Sequence, residues 1–292
     1  MNNSIKSLLC IIMSLPLTVS CVTDSPTEED ESRVIIAYPS APRDTTVTIS
    51  FAPRYDVKPM TRAALAGNVT KLDVWIFNGD TEAATAHQSS TDANFGTVTA
   101  TLDKTKTYTL YAIAHKADAA ATLEDGIISF PDDKVKDTFW YAATIAPATA
   151  TSYSCEMNRI VAAFRIETSD AVPTEAKKMR ITQGSVYDRW NVTTGATHQL
   201  DRISTLNISN TNQDGTAVFT VYSINTDAET LHAVTAEALD ASDNVIQSRT
   251  FANVPLRNGY RTTYRGEFFT NTSTSAAFTV AADWSEYDTI NY

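Results

Sequence analysis

Apolar residues alternating with polar or β-branched ones set the dominant period beyond residue 33, and a period of two confines a chain to β-structure. Val47, Ile49 and Phe51 alternate with Thr48 and Ser50, predicting a half-buried strand that Pro53 ends. Leu72, Val74 and Ile76 share one face of the run 69–77, and Asn78-Gly79 follows as a turn signal because both residues tolerate positive φ. Residues 107–114 (TYTLYAIA) alternate again. The pattern restarts at 159–166, with Ile160, Ala162, Phe164 and Ile166 on one face. Further strands are expected at 178–181, 217–222, 232–239, 245–251, 260–269 and 277–281, with a turn at Asn258-Gly259.

Composition agrees with this pattern. The 292 residues include 43 Thr but only 9 Gly and 10 Pro, and Thr is stiff at χ1 and suits a pleated surface. Helical signals are confined to short stretches at 117–123 and 175–178. Short strands with turns every ten residues or so predict an all-β fold of two tandem antiparallel β-sandwich domains. The length suits two domains. The expected divisions are 1–20, 21–33, 34–150 and 151–292, with the Thr- and Ala-rich stretch 142–152 as the linker. A net charge of -11 excludes a nucleic-acid groove.

The first 20 residues carry one charge, Lys6, and then an apolar run too short to span a bilayer, the pattern of a secretory signal. The run ends Leu17-Thr18-Val19-Ser20-Cys21, which resembles a bacterial lipobox with Thr18 in place of the usual Leu. Cys21 is therefore the expected lipidation site, carrying acyl chains such as palmitate. Residues 21–33 are acidic, contain Pro and Ser, and have no apolar period, predicting a solvated tether. With Cys21 lipidated, Cys155 has no partner for an intrachain disulfide.

Catalytic and metal-binding patterns are nearly absent from the sequence, and paired carboxylates of the glycosidase kind, which meet only in a fold, stay open. His87, His115, His198 and His232 stand far apart, without metal-site spacing. Gly184-Ser185 lacks the frame of a nucleophile elbow, and Asp240, Asp243 and Asn244 lack the Gly and closing Glu of a calcium loop. Trp75, Trp140, Trp190 and Trp284 are residues that could stack on sugars or pack in a core. No catalytic residue, metal or cofactor is expected.

The segment TRAALAGNVTKLDVWIFNGD, residues 61–80, resembles the fimbrillins, the subunits of Bacteroidales type V pili. TLYAIA, the restart NRIVAAFRIE and the late LRNGYRTTYRGEFF follow in the family's order. The resemblance implies two transthyretin-like β-sandwiches, export as an outer-membrane lipoprotein, and a cut by a trypsin-like protease after an Arg in the first domain. Carried onto this chain, the cut falls between Arg62 and Ala63, with Arg33, Arg43 and Arg54 as competing sites. The released strand is Val47, Ile49 and Phe51 with their neighbours. The donor strand to a neighbouring subunit is Ala277, Phe278, Thr279, Val280 and Ala281, which otherwise form the last strand of the second sandwich. Implied partners are other fimbrial subunits, the processing protease, the outer membrane through lipid, and host glycans or proteins, with no nucleic acid. An uncut anchor lipoprotein and a glycan-binding surface lipoprotein are the alternatives.

Overall fold

The computed structural model describes residues 44–53, 62–209, 211–270 and 279–282. The first half contains β1 (Asp44–Pro53), the helix α1 (Arg62–Asn68), β2 (Lys71–Asn78), β3 (Thr81–Ser89) and β4 (Thr97–Asp103). It continues through β5 (Tyr108–His115), the small strands β6 (Thr122–Glu124) and β7 (Ile127–Ser129), β8 (Thr138–Ile145) and β9 (Ser152–Arg159). The second half begins with β10 (Val161–Thr168), β11 (Lys178–Asn191), β12 (Gly195–Asn207) and β13 (Val218–Ile224). Its remaining strands are β14 (Thr230–Leu239), β15 (Val245–Leu256), β16 (Arg261–Gly266) and β17 (Thr279–Ala282).

One connectivity is used twice. The first set of strands makes a four-stranded layer β3-β2-β5-β8 and a three-stranded layer β9-β1-β4. The second set makes β12-β11-β14-β15 and β13-β10-β16, with β17 added outside β16. In each set the first strand lies between one antiparallel neighbour and one parallel neighbour. These are β4 and β9 for β1, and β13 and β16 for β10. This is the transthyretin-like sandwich in tandem, its ladders otherwise antiparallel. The layers are not sealed off from one another, because β8 pairs briefly with β9 and β11 with β13 at Tyr187 and Ile224.

Two cores follow from the alternation. Inward residues of β1, β2, β4 and β5 meet Phe139, Cys155 and Met157 in the first. In the second, Phe164 packs against Phe251 and Tyr264, with ring centroids 5.6 and 5.7 Å away. A third cluster covers the outer face of β2 and β5 with Ala121, Ile128, Phe130 and Val135. This is why Trp75 and Ile113, on that outer face, are also buried. The β6–β7 hairpin ties this cover to β11, where Ile128 is paired with Trp190.

Several local features differ from the sequence expectation. Residues 117–121 are irregular and lead into β6, and residues 174–175 form a turn, so the faint helical signal of either stretch yields no helix. Stretch 142–152 is not a free linker. It holds the end of β8 and the first residue of β9, whose ladder with β1 keeps β9 in the first sheet. Strands of the first sheet thus run past the 150/151 division, and the crossing to β10 falls at Ile160. The one helix, α1, arises at RAALAGN, where Ala and Leu favour helix and Leu65 is buried. The Asn78-Gly79 turn lies where the sequence places it, with Gly79 at φ 59° between β2 and β3. Gly184-Ser185 belongs to a bulge in β11, Ser185 having φ 56°.

Truncating Phe164 to Ala removes a fully buried ring and is expected to cost about 3–5 kcal/mol in urea unfolding. Ile203→Ala, at a side chain 64% exposed, should change stability by less than about 0.5 kcal/mol in the same measurement.

Candidate functional site

The sequence assigns the chemistry-bearing positions to the two ends of the folded chain, beginning with β1. From Asp44 to Ser50 this strand is in register with β4, opposite Asp103 to Thr97. From Thr48 to Pro53 it runs parallel to β9, opposite Ser152 to Met157. It is therefore hydrogen-bonded on both edges where the two ladders overlap, with Phe51 N–H also donating to the Gly96 carbonyl at 2.8 Å. Val47, Ile49 and Phe51 point into the first core, and even Phe51 is only 3% exposed. Their burial contributes about 1.5–3 kcal/mol each, so ~5–9 kcal/mol together. Removing β1 would leave two unpaired edges above an apolar slot.

Arg62 and Ala63 open α1, the seven-residue helix that packs on β1 through its buried Leu65. The Arg62–Ala63 bond is thus in helical backbone rather than in an extended lead-in to β2. The Ala-Ala-Leu-Ala composition after Arg62 explains the difference. Cys21, Arg33, Arg43 and Arg54 lie outside the described residues.

At the other end, Thr279, Val280 and Ala281 are in β17, paired antiparallel with Arg265, Tyr264 and Thr263 of β16. Ala277, Phe278 and Trp284 lie outside the described residues. The base of this C-terminal segment is held by Asp170. Its carboxylate accepts the backbone N–H groups of Phe268, Phe269 and Thr270 at 2.8, 2.6 and 2.7 Å. Burial alone raises the Asp170 pKa, but these bonds outweigh it and hold the carboxyl below its ordinary 3.8.

Next to β1 stands Cys155, whose position pairs with Phe51. Burial pushes its thiol up to about 11, partly offset by a hydrogen bond from Tyr141. The thiol is therefore inert while β1 is in place.

The four histidines serve the framework. His87 Nδ1 and His115 Nε2 lie 2.8 and 2.9 Å from the two oxygens of the buried Asp73 carboxylate, which also accepts Ala121 N–H. The cluster joins β2, β3 and β5 to the covering segment. His198 Nδ1 is 2.6 Å from Asp188, and His232 Nδ1 is 2.9 Å from the Gly184 carbonyl. Among the described residues no three His, Cys, Asp or Glu groups are placed to hold a metal. Asp240 accepts the N–H groups of Ser242 and Asn244 in the β14–β15 hairpin, and Asp243 pairs with Lys178. Of the tryptophans, Trp75 is buried. Trp140 stacks on Tyr111, centroids 5.7 Å apart, with Trp190 6.0 Å further along, all three rings half-buried.

The chain belongs to the DUF6562 family. That family is described as one of unknown function, and its profile matches residues 39–289. No curated protein matches the chain. Among solved structures, a candidate adhesin from Bacteroides ovatus is 10% identical, with 81% of this chain and 96% of that one covered and a TM-score of 0.51. A candidate cell adhesion protein, also from Bacteroides ovatus, is 16% identical, covering 82% and 97%, with a TM-score of 0.47. The fimbrial anchor protein Mfa2 from Porphyromonas gingivalis is 9% identical, covering 81% and 96%, with a TM-score of 0.46. This DUF6562 chain thus shares its fold with the first of these.

Sequence reasoning missed Asp170 and the Asp73 cluster, since an isolated Asp carries no local signal of partners far along the chain. Asp170→Asn is expected to cost about 1–3 kcal/mol at pH 7. The wild-type advantage should be complete above the ordinary value of 3.8 and disappear as pH falls through the lowered folded value. Chemical unfolding of both proteins at pH 7 and in acid checks this. A deficit that persists undiminished in acid would contradict it.

Proposed function

We propose that this chain is a structural subunit of a cell-surface fimbria, exported as an outer-membrane lipoprotein through Cys21 and serving adhesion. It is cut after Arg62 and joined to other subunits by strand exchange. The observation that carries this reading is the position of β1, a terminal-side strand with neighbours on both edges and three apolar residues in the core. A strand in that place is replaceable, because any extended segment with alternating apolar residues meets the same two edges and the same slot. The C-terminal segment around Phe278 and Val280 is the donor in this scheme. The candidate adhesin of similar fold agrees with it.

The uncut anchor is a second reading. Proteases take their substrates in extended form, and the Arg62–Ala63 bond lies in the first turn of α1. Cleavage there requires that turn to unwind, a small barrier for a helix of seven residues.

Brief, low-dose trypsin on the full chain separates the two. A cut subunit gives a product starting at Ala63, then detergent-resistant oligomers on a gel. Loss of β1 also uncovers Cys155, so a maleimide reagent should label it after cleavage and spare it before, with peptide mapping to distinguish it from Cys21. A chain intact at Arg62, with acyl mass on Cys21 and Cys155 still protected, would overturn the cut-subunit reading in favour of the anchor.

A further inference from the structure

β12 is the longest open edge among the described strands. Its thirteen residues pair with β11 on one side, and no other described strand or backbone group bonds to it. Folded chains blunt such edges with Pro, Lys, bulges or brevity. β15 carries Pro255 and an irregular Asn253 at φ 57°, the β2–β3 ladder shifts register, and β4 has seven residues. β12 contains neither Pro nor Lys, and the extra residues of its register shift are on β11. His198, at φ 60°, ends the regular stretch, which runs from Gln199 to Asn207. At its centre Ile203 is 64% exposed.

The ladder with β11 decides which backbone groups are free. The Ile208 N–H donates to the Lys177 carbonyl at 2.8 Å. In an antiparallel ladder the groups turn toward the partner at every second residue, so Leu206, Ser204 and Arg202 direct theirs at β11. Ile203 and Thr205 direct theirs away, as do Asn207, Asp201 and Gln199 by the same alternation. Side chains alternate too. Arg202 turns inward, where Nη1 donates to the Asp133 carbonyl at 2.7 Å, which leaves Asp201 as the one outward charge of the stretch.

We propose that β12 pairs with β12 of a second copy of this chain, antiparallel about a two-fold axis at Ile203. The free backbone groups allow an axis at 201, 203 or 205. An axis at Asp201 sets two carboxylates opposite each other, which is destabilising. An axis at Thr205 uses a shorter part of the edge. The axis at Ile203 uses all nine residues, and its cross-strand pairs are Ile203 with Ile203, Asp201 with Thr205, and Gln199 with Asn207. Asp201 then falls in the row of Thr205 and Arg180 of the other copy, so no like charges are opposed. The net charge of -11 is screened within about 8 Å at physiological salt and does not decide a contact between backbone edges. The contact is isologous and closes at two copies, unlike strand exchange. It lies in the second sandwich and needs no cleavage, so it is independent of the strand-exchange reading.

Sedimentation equilibrium of the uncleaved full chain over rising concentration tests the pairing. A monomer–dimer equilibrium is expected, with the mass rising from 31.9 kDa toward twice that, and with amide exchange over 199–207 slowing as the dimer forms. Ile203→Lys, which sets two ammonium groups at the axis, should weaken dimerisation at least ten-fold. Thr205→Pro should do the same, because it deletes an outward N–H and leaves the bonds to β11 in place. Leu231→Lys, at an equally exposed side chain on β14, should leave dimerisation unchanged. A thermal melt by circular dichroism establishes that each variant is folded, and if Thr205→Pro is not, Ile203→Lys carries the test. A monomer at every concentration, open-ended oligomers, undiminished association of folded Ile203→Lys, or an equal loss with Leu231→Lys would overturn the proposal.

Discussion

A β-strand in the middle of a layer is held by two ladders at once, and the first sandwich depends on β1 in this way. Both β4 and β9 take their hydrogen-bonding partners from it, and the core beneath is completed by Val47, Ile49 and Phe51. The packing of α1, the protection of Cys155 and the pairing of β9 with the first rather than the second sheet all follow from that strand being present. Backbone groups at a bared edge need a partner, so the position cannot simply stay empty without exposing a template for another chain.

Much of the fold was legible because burial alternates along strands. The faces read from Leu72, Val74 and Ile76, and from Ala162, Phe164 and Ile166, are the faces that enter the two cores. Legibility failed where alternation carries little contrast. In β3, TEAATAHQS, most residues are exposed or half-buried, and Ala and Thr differ too little in polarity to mark a face. β12 forms an edge and carries polar residues on both faces. The helix at Arg62 was hidden because its seven residues fall below the length at which a period of 3.6 becomes visible.

The candidate sites divide in the same way. β1 was legible as a strand, since its apolar face is local in sequence. The polar anchors were not. Asp73 meets His115 across 42 positions, Arg202 meets the Asp133 carbonyl across 69, and Asp170 meets Phe268 across 98. Such pairs are products of the tandem topology, which brings remote strand ends together. The tryptophans illustrate both cases. Their apolar character was evident from sequence, but only the fold separates the enclosed Trp75 from the Trp140–Trp190 row, at a seam where the cover of β2 and β5 meets β11.

The duplicated connectivity carries an asymmetry of its own. β1 and β10 occupy equivalent places in the two sandwiches, yet their covalent ties differ. Among the described strands β1 comes first and is joined to the others through residues 54–61, whereas β10 is fastened between β9 and β11. One broken peptide bond therefore suffices to free the first, and two are needed to free the second. Among the described strands, then, an assembly that grew by exchanging strands would open its vacancy in the first sandwich. Its polarity is then written into the order of the chain, without a recognition surface to enforce direction.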